Sequence, residues 1–262
     1  MADLEYRVAG GLATLMLNRP EKKNAFTDGM LERWRECLVQ AQADDDVRVI
    51  VVTGAGDAFC SGGDLGRRTG ETAPPAPLER KQRLQSRTHR VALALLDVDK
   101  PVIAAVNGAA VGAGMDMALM CDIRVASASA RFSEGYIRVG LIPGNGGAYF
   151  LPRIVGTAQA LELLWTADFV NAEQALAIGL VNHVYADATF REEVAAFARR
   201  IAAAPPTQVR LVKRTVYQSL ATDLRTSLEL VSSHMAIVQT TEDYREAIDA
   251  YKEKRAPKYR GR

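Results

Sequence analysis

The stretch from Pro101 to Asp122 constrains the fold more than any other part of the sequence. It opens with an uninterrupted apolar run, PVIAAV, which Asn107-Gly108 closes, and it continues as VGAGMDMALM. The first run predicts a buried strand that ends in a turn, and the second predicts a buried helix with one charged residue, Asp116. A glycine turn at a helix N-terminus gathers backbone N–H groups that can stabilise an anion. Glycines that only let a helix pack closely on a sheet would give the same pattern.

A second unit of the same kind comes earlier in the chain. The mostly apolar residues 47–52 predict a strand that is buried on both faces, as in an α/β sheet, and FCSGGDL at residues 59–65 supplies a second glycine turn. Two such turns could each donate one N–H to a single oxygen atom. Losing one donor of such a pair typically lowers a rate by about 10²–10³-fold. Two unrelated packing turns remain the alternative.

Hydrophobic spacing predicts the elements that precede these units. Residues 4–8 and 12–17, separated by Gly10-Gly11, predict a β-hairpin. A helix is expected to follow Thr27 or Asp28, either of which can cap it. One face of this helix is predicted to be buried, because its apolar residues recur at helical spacing: Met30, Leu31, Trp34, Cys37, Leu38 and Ala41.

Helices are also predicted after the second glycine turn. Residues 70–77 are expected to form a mobile surface loop, and residues 78–96 one helix. Two short helices are predicted at residues 157–166 and 171–178. From about residue 189 the pattern is wholly helical.

We expect a boundary near Pro205-Pro206. It would separate a core of residues 1–205, which holds the site, from a helical C-terminal subdomain of residues 206–262. The subdomain carries an apolar seam that is expected to pack on the core or on another subunit: Leu220, Leu224, Leu228 and Val231.

Composition argues against several classes of function. The chain has 262 residues, of which 48% are hydrophobic and 24% charged, as is typical of a soluble globular protein. A formal net charge of +2 implies neither nucleic acid nor a membrane surface as a partner. The N-terminal residues lack the pattern of a signal peptide, and no apolar run approaches the roughly 18 residues of a spanning helix.

Histidine and cysteine spacing gives no sign of a metal or disulfide site. The three histidines stand apart from one another and from any cysteine pair, so no metal site is predicted. The odd number of cysteines, widely spaced in apolar settings, indicates reduced and buried thiols: Cys37, Cys60 and Cys121. We therefore expect a cytoplasmic protein.

Several motifs, in this order and spacing, resemble those of the crotonase superfamily, also called the enoyl-CoA hydratase/isomerase family. The resemblance covers nearly the whole chain. It rests on residues 17–25 (LNRPEKKNA), 58–65 (AFCSGGDL), 100–108 (KPVIAAVNG), 112–122 (GAGMDMALMCD), 140–147 (GLIPGNGG) and 254–262 (KRAPKYRGR).

The resemblance implies an α/β fold, a spiral of ββα repeats followed by a helical C-terminal region, assembled as a trimer or hexamer. It implies acyl-CoA thioester substrates and no cofactor, since coenzyme A is part of the substrate. Two backbone N–H groups would hold the thioester oxygen as an enolate forms, and they fall on Gly63 and Ala113. The family usually has glycine at the second place, and alanine keeps the donor only if its φ stays negative.

The resemblance also implies a binding site for coenzyme A. Its adenine and pantetheine end would lie against the loop at residues 23–25 and the turn at residues 61–65. The phosphates would meet Lys23 or Lys258, although each could equally be an ordinary solvated lysine. The residues that we expect to bind coenzyme A are Lys23, Asn24, Ala25, Ser61, Gly62, Asp64, Leu65 and Lys258.

The catalytic pair departs from the family. Hydratases of this family use two glutamates, and their places fall here on Asp116 and Tyr136. Asp116 keeps the carboxylate on a shorter side chain, whereas Tyr136 is a donor and a poor base at neutral pH. Glu134 could replace the missing carboxylate, or it could be a helix cap or a surface residue. Asn145 lies where related isomerases and dehalogenases often carry an aspartate, and it cannot act as a base.

Three hypotheses follow. The leading one is an enoyl-CoA hydratase that uses Asp116 as principal acid and base, with Tyr136 or Glu134 as second group. The second keeps the enolate but ends in isomerisation, decarboxylation, or carbon–carbon or thioester cleavage. The third is a catalytically weak acyl-CoA-binding protein.

Overall fold

The computed structural model describes residues 2–64 and 76–262. Their strands are β1 Leu4–Ala9, β2 Leu12–Leu17, β3 Val49–Gly54, β4 Ala58–Cys60, β5 Val102–Val106, β6 Ala109–Val111, β7 Ile123–Ser127, β8 Arg131–Ser133, β9 Val170–Asn171 and β10 His183–Tyr185. Their α-helices are α1 Asp28–Ala43, α2 Pro77–Ser86, α3 Thr88–Asp97, α4 Ala113–Leu119, α5 Gly147–Val155, α6 Thr157–Thr166, α7 Ala172–Ala177, α8 Phe190–Ala202, α9 Pro206–Ser219, α10 Leu224–Val238 and α11 Glu242–Glu253. Short 3₁₀-helices lie at Pro20–Lys22 and Gly135–Val139.

The described strands form two sheets, and the chain visits them in alternation. The larger sheet has the order β1-β2-β3-β5-β7-β10, and the smaller has the order β4-β6-β8-β9. Three times in succession, one strand joins the larger sheet, the next joins the smaller sheet, and helices follow. Successive repeats add parallel strands, because helices carry the chain back between them. The predicted α/β spiral of ββα repeats is confirmed, as is the hairpin of β1 and β2.

The central strands β3 and β5 of the larger sheet are buried on both faces, as the apolar residues 47–52 predict for β3. In β3, Val49 and Val51 face α8, whereas Ile50 and Val52 belong to the main core on the opposite face. That core includes α1, whose first turn is capped by the Thr27 side chain. All six residues predicted for the apolar face of α1 are buried.

Two predictions of secondary structure are wrong. The helix expected at residues 78–96 is two helices, because the backbone of Arg87 leaves the helical region with φ −124° and ψ −86°. The physical reason lies in packing: α3 buries Val91 and Leu95 in the main core, whereas α2 has no buried residue, so the chain turns to bring only α3 inward. Helix α4 starts at Ala113, two residues earlier than expected. Residues 70–75 of the expected loop lie outside the described residues.

Polar contacts fasten α9 to the core. Arg210 forms an ion pair with Asp99 at 2.7 Å, Lys213 forms one with Asp122 at 2.8 Å, and Tyr217 donates a hydrogen bond to Asp122. These contacts use one side of α9, and none of the residues in α9 or α10 is buried.

The apolar seam of the C-terminal region therefore does not pack on the core of the same chain. Leu220 and Leu224 are 75% and 74% exposed, and Leu228 and Val231 are also exposed. Packing on another subunit is the alternative that this leaves. The division of the chain at residue 206, where α9 begins, stays a prediction. Among the described residues, no helix combines the length and the apolar character needed to cross a membrane.

Candidate active site

The two glycine turns lie side by side, at the start of α4. A Cβ on Gly62 would stand 3.6 Å from the backbone nitrogen of Ala113, and a Cβ on Gly114 would stand 2.1 Å from the carbonyl oxygen of Cys60. Only glycine allows backbones to approach so closely. The smaller sheet supports this meeting point, because β4, which ends at Cys60, pairs with β6, which ends one residue before Gly112.

Each turn presents one unused N–H group. Phe26 and Gly63 form a parallel bridge, in which Phe26 donates to Gly62 and accepts from Asp64, so the N–H of Gly63 is left over. Ala113 is the first residue of α4, where an N–H has no partner within the helix. Within the described part of the chain, neither N–H donates a hydrogen bond.

Alanine at position 113 keeps the donor. The positive φ of this turn falls on Gly112, at 52°, and Ala113 is not among the described residues with positive φ. Ala113 therefore meets the condition of a negative φ, which an alanine needs in order to act as a donor at this position. The N-terminus of α4 adds the positive end of a helix dipole beside both N–H groups.

Asp116 lies one helical turn after Ala113 and is fully buried. Its Oδ2 accepts a 2.5 Å hydrogen bond from the Tyr136 hydroxyl and a 3.1 Å hydrogen bond from the Asn145 backbone N–H. Its Oδ1 has no hydrogen-bond partner among the described residues. Two donors thus hold one oxygen, and the carboxyl group also lies close to Glu134 and to the backbone of Gly147.

Glu134 is fully buried as well, directly after β8. It stands at the start of the 3₁₀-helix without capping it by a side-chain hydrogen bond, and within the described chain neither of its carboxyl oxygens has a partner. The alternatives of a surface carboxylate and a helix cap are therefore both wrong. Burying an unpaired carboxyl group is costly, so the group stays neutral or meets a ligand.

Gly147, at the start of α5, brings the two carboxyl groups together. A Cβ on this residue would stand 2.2 Å from Oδ1 of Asp116 and 3.2 Å from Oε1 of Glu134. Any other side chain would displace the carboxyl groups. Oδ1 of Asp116 and Oε1 of Glu134 therefore both lie against the place that a side chain at position 147 would fill, and the two carboxyl groups are in contact range of each other.

The two carboxyl groups differ in their tendency to ionise. Burial raises the pKa of Asp116 to about 6, against the hydrogen bonds from Tyr136 and Asn145, which favour the ionised form. Burial and the nearby charge of Asp116 raise the pKa of Glu134 to about 9. At neutral pH the pair therefore shares one proton, and the two donors to Asp116 favour its ionised form, with the proton on Glu134.

Tyr136 serves as a hydrogen-bond donor to Asp116. Its ring lies between the two glycine segments, with Cδ2 3.8 Å from the place of a Cβ on Gly112 and Cε1 3.9 Å from that on Gly144. Burial, followed by the charge of Asp116, raises the pKa of its phenol further above the ordinary value of 10. The phenol is therefore protonated and cannot act as a base at neutral pH.

The loop predicted to bind coenzyme A is built around Asn24. Lys23 and Asn24 have left-handed backbones, with φ of 50° and 56°. The Asn24 side chain is fully buried and donates to the carbonyl oxygens of Ala55 and Ala58. Lys23 is exposed, and its ammonium group pairs with Asp57 at 2.6 Å.

Arg19 connects this loop to the first glycine turn. It donates to the carbonyl oxygen of Ala25 at 2.6 Å and to the carboxylate of Asp64 at 3.1 Å. The N–H of Ser61 donates to the carbonyl oxygen of Lys23. The fold thus brings the predicted binding residues of both segments together, and Leu65 lies outside the described residues.

Lys258 lies in the C-terminal tail. It is exposed, and its backbone N–H donates to Glu246 at 2.7 Å. That contact fixes the backbone of the tail and leaves the side chain in solvent. No described contact joins Lys258 to Lys23 or to the glycine turns.

The sequence did not indicate three residues of the site. Gly147 gave no signal beyond its place in a glycine pair, and the N–H of Asn145 could not be inferred from a side chain that is unable to act as a base. Arg19 belongs to a predicted motif, but its contacts with Ala25 and Asp64 depend on the fold. Spatial contacts of this kind have no local sequence signature.

Comparison with known proteins agrees with the resemblance. The sequence model of the enoyl-CoA hydratase/isomerase family matches residues 7–262. The chain is 37% identical, over 97% of either sequence, to 1,2-epoxyphenylacetyl-CoA isomerase of Escherichia coli strain K12. It is 34% identical to crotonyl-CoA hydratase of Syntrophomonas wolfei, over 93% of this chain and 92% of that protein.

A solved structure agrees with the fold. The crystal structure of enoyl-CoA hydratase from Bacillus anthracis superimposes with a TM-score of 0.94 at 32% identity, over the full length of both chains. The repeats, the paired glycine turns and these matches lead to one assignment. The chain belongs to the enoyl-CoA hydratase/isomerase family, the crotonase superfamily.

Proposed function

We propose that the protein is an enoyl-CoA hydratase, which adds water to a 2-enoyl-CoA thioester. The observation that carries the proposal is the pair of buried carboxyl groups that face one another across Gly147. One of them is a base at neutral pH and the other an acid. Hydration needs both, because water must lose one proton as it attacks and the substrate must gain another.

In the first step, Oδ1 of Asp116 takes a proton from water while the water oxygen bonds to the β-carbon of the substrate. The electrons of the double bond move to the thioester oxygen, which becomes an enolate oxygen. The N–H groups of Gly63 and Ala113 stabilise the charge that develops there, and they require no rearrangement to do so. Their lack of other partners supports this role.

In the second step, Glu134 gives its proton to the α-carbon, and the thioester carbonyl forms again. The net change is the addition of one water molecule. Asp116 is then protonated and Glu134 ionised. Because Glu134 has the higher pKa and the two groups are adjacent, the proton passes back to Glu134 and the site is ready again.

The test is a product analysis with crotonyl-CoA. We expect a product heavier by one water molecule, and loss of that product in both Asp116→Asn and Glu134→Gln. If the wild-type protein released only products of unchanged mass, or products that had lost carbon dioxide, the proposal would be wrong. The same mass measurement on 3-enoyl, malonyl-type and β-hydroxyacyl thioesters identifies which other reaction takes place.

Isomerisation is the second candidate function. The relative that shares 37% identity with this chain is an isomerase of an acyl-CoA. The same two carboxyl groups could move a proton from one carbon to another without water. A 3-enoyl-CoA that becomes a 2-enoyl-CoA of the same mass, at a rate above that of hydration, would favour this candidate.

A protein that only binds acyl-CoA is the least supported alternative. Asp116 has two hydrogen-bond donors, so its burial alone does not require catalysis. Glu134, however, is buried beside a second carboxyl group, Asp116, which makes its ionisation costly and is an arrangement that a binding protein has no reason to keep. Binding of crotonyl-CoA by calorimetry without turnover of any thioester would support this alternative.

We further propose that the protein assembles as a trimer or hexamer in the cytoplasm. The exposed seam of α9 and α10 supports assembly, since such faces rarely stay open to solvent. Three free and buried cysteines are consistent with a reducing compartment. Sedimentation of wild type and of a Leu224→Glu, Leu228→Glu double variant tests the assembly, and a monomeric wild type would exclude it.

A further inference from the structure

His89 lies on α3 and is not one of the active-site residues named so far. It contacts the peptide group between Gly144 and Asn145, which Asp116 also contacts. Its Nε2 is 2.8 Å from the carbonyl oxygen of Gly144. A carbonyl oxygen can only accept, so Nε2 carries a proton and donates it to this hydrogen bond. The next atoms of the chain are the nitrogen and hydrogen of Asn145, which donate to Oδ2 of Asp116 at 3.1 Å.

These contacts form one continuous hydrogen-bonded chain. It runs from His89 through the peptide group between residues 144 and 145 to Asp116, where the Tyr136 hydroxyl completes it. A donor on the carbonyl side of a peptide group polarises its N–H, so each hydrogen bond strengthens the next. The geometry points to His89 as a positioning residue for Asp116, acting through the backbone and without touching the substrate.

Among the described residues, His89 alone donates a hydrogen bond to the carbonyl oxygen of this peptide group. Gly144 has no side chain, and the atoms nearest to its Cβ position, in Leu84 and Tyr136, are 3.9 Å away. Its backbone N–H, which belongs to the preceding peptide group, contacts the Tyr136 hydroxyl. A glycine can rotate its peptide group at little cost. His89 therefore fixes the direction in which the Asn145 N–H points.

The charged side chains next to His89 in the sequence face acidic side chains of α1. Beside His89 on its own side of the molecule, Arg87 forms an ion pair with Asp28, and Arg90 lies 4.0 Å from Glu32 on α1. Around Asp116, the titratable groups are Glu134 and Tyr136. Loss of the His89 hydrogen bond would thus reach Asp116 through the peptide group between Gly144 and Asn145.

This inference rests on the proposed function, since it assigns His89 to the base of that reaction. The test compares His89→Phe, which keeps a ring but has no donor, with His89→Gln, whose amide can place a donor near the position of Nε2. The exposed His183 of β10 provides the control, as His183→Phe. For each variant we would measure kcat, KM and the pH dependence of kcat with crotonyl-CoA.

Weakening a hydrogen bond to the ionised form raises the pKa of a carboxyl group. We expect His89→Phe to lower kcat about tenfold with KM nearly unchanged. The acidic limb of the profile should move to higher pH by about 0.5–1 unit. His89→Gln should restore most of both values, and His183→Phe should change neither.

A second measurement separates this inference from the proposed reaction. Infrared spectroscopy can follow the titration of the Asp116 carboxyl group, which is identified as the titration that is lost in Asp116→Asn. This measurement does not depend on whether the protein turns over crotonyl-CoA. A higher pKa for that group in His89→Phe, and not in His89→Gln, would support the inference even if hydration failed. An unchanged titration in His89→Phe, or equal effects of phenylalanine and glutamine, would overturn it.

Discussion

The hydroxyl group of Tyr136 donates a 2.5 Å hydrogen bond to Oδ2 of Asp116. The family resemblance implies that Tyr136 stands where related hydratases carry their second glutamate. In the proposed reaction the tyrosine therefore acts on the base, and the acid is Glu134, two residues earlier. The oxygen of Asp116 that remains free is the one that faces Glu134.

Tyr136→Phe should weaken the base without removing the acid. Without the phenol, the ionised form of Asp116 loses one of its donors, so its pKa rises above about 6. A base must be ionised to act, so the acidic limb of the rate profile should move up by about 1 pH unit, with a rate loss near tenfold below pH 6 and about twofold at pH 7. A loss as large as that of Glu134→Gln, with an unmoved limb, would make Tyr136 the proton donor instead.

Gly147→Ala should damage the site with little effect on its surroundings. The new Cβ would meet Oδ1 of Asp116 at 2.2 Å, so the carboxyl group must move. A displacement of about 1 Å can lower a rate by about 10²-fold. Gly29→Ala in α1 is the matched control, since its Cβ would have only Thr27 Oγ1 nearby, at 3.8 Å. Full hydration activity in Gly147→Ala would show that the carboxyl groups do not need this spacing.

Ala113→Pro should remove one donor of the oxyanion site while α4 stays intact. Proline is accepted at the first position of a helix, where the N–H has no partner in the helix. We expect kcat to fall by about 10²–10³-fold. Thr157→Pro, at the first position of α6 and also preceded by a glycine, controls for the effect of proline itself. Near-normal kcat in a folded Ala113→Pro would remove Ala113 from the oxyanion site.

The stability of Glu134→Gln relative to wild type should increase as the pH rises. Burial holds the pKa of Glu134 near 9 in the folded chain, above its ordinary value of 4.5. The folded state thus binds a proton that the unfolded state has released, and this contribution, complete below pH 4.5, is lost as the pH rises to 9.

The slope of this loss is at most about 1.4 kcal/mol per pH unit, and glutamine, which does not titrate, removes it. Urea unfolding at pH 5 and pH 8 measures the difference between variant and wild type, with the exposed Glu192→Gln as control. The free energy of unfolding of Glu134→Gln, relative to that of wild type, should be higher at pH 8 than at pH 5. An equal difference at both pH values would mean that Glu134 is not held neutral.

Local patterns were enough to predict many of the helices and strands and both glycine turns. The apolar face of α1 and the strand at residues 102–106 follow from spacing within one element, whereas the donor at Ala113 follows from the family resemblance. The contacts that define the site do not follow from such spacing. Asp116 and Tyr136 are 20 residues apart, and His89 and Gly144 are 55 residues apart. Their contact depends on how the repeats stack.

Glu134 shows most clearly what local sequence patterns cannot predict. A carboxyl group that follows a three-residue strand can face solvent, cap a helix or point inward, and the sequence allows all three. The 3₁₀-helix at Gly135–Val139 sends Tyr136 towards Asp116 and leaves Glu134 buried. The break at Arg87 was missed for a similar reason, because it depends on which of two helices can reach the core and neither proline nor glycine marks it.

The most direct measurement is the pH dependence of kcat for crotonyl-CoA hydration by wild type and by Glu134→Gln. For wild type we predict a bell-shaped profile, which rises as Asp116 ionises near pH 6 and falls as Glu134 loses its proton near pH 9. Glu134→Gln should hydrate about 10²–10⁴-fold more slowly at neutral pH and lose the alkaline limb. Hydration by Glu134→Gln at the wild-type rate, with the alkaline limb in place, would contradict the assignment of Glu134 as the acid.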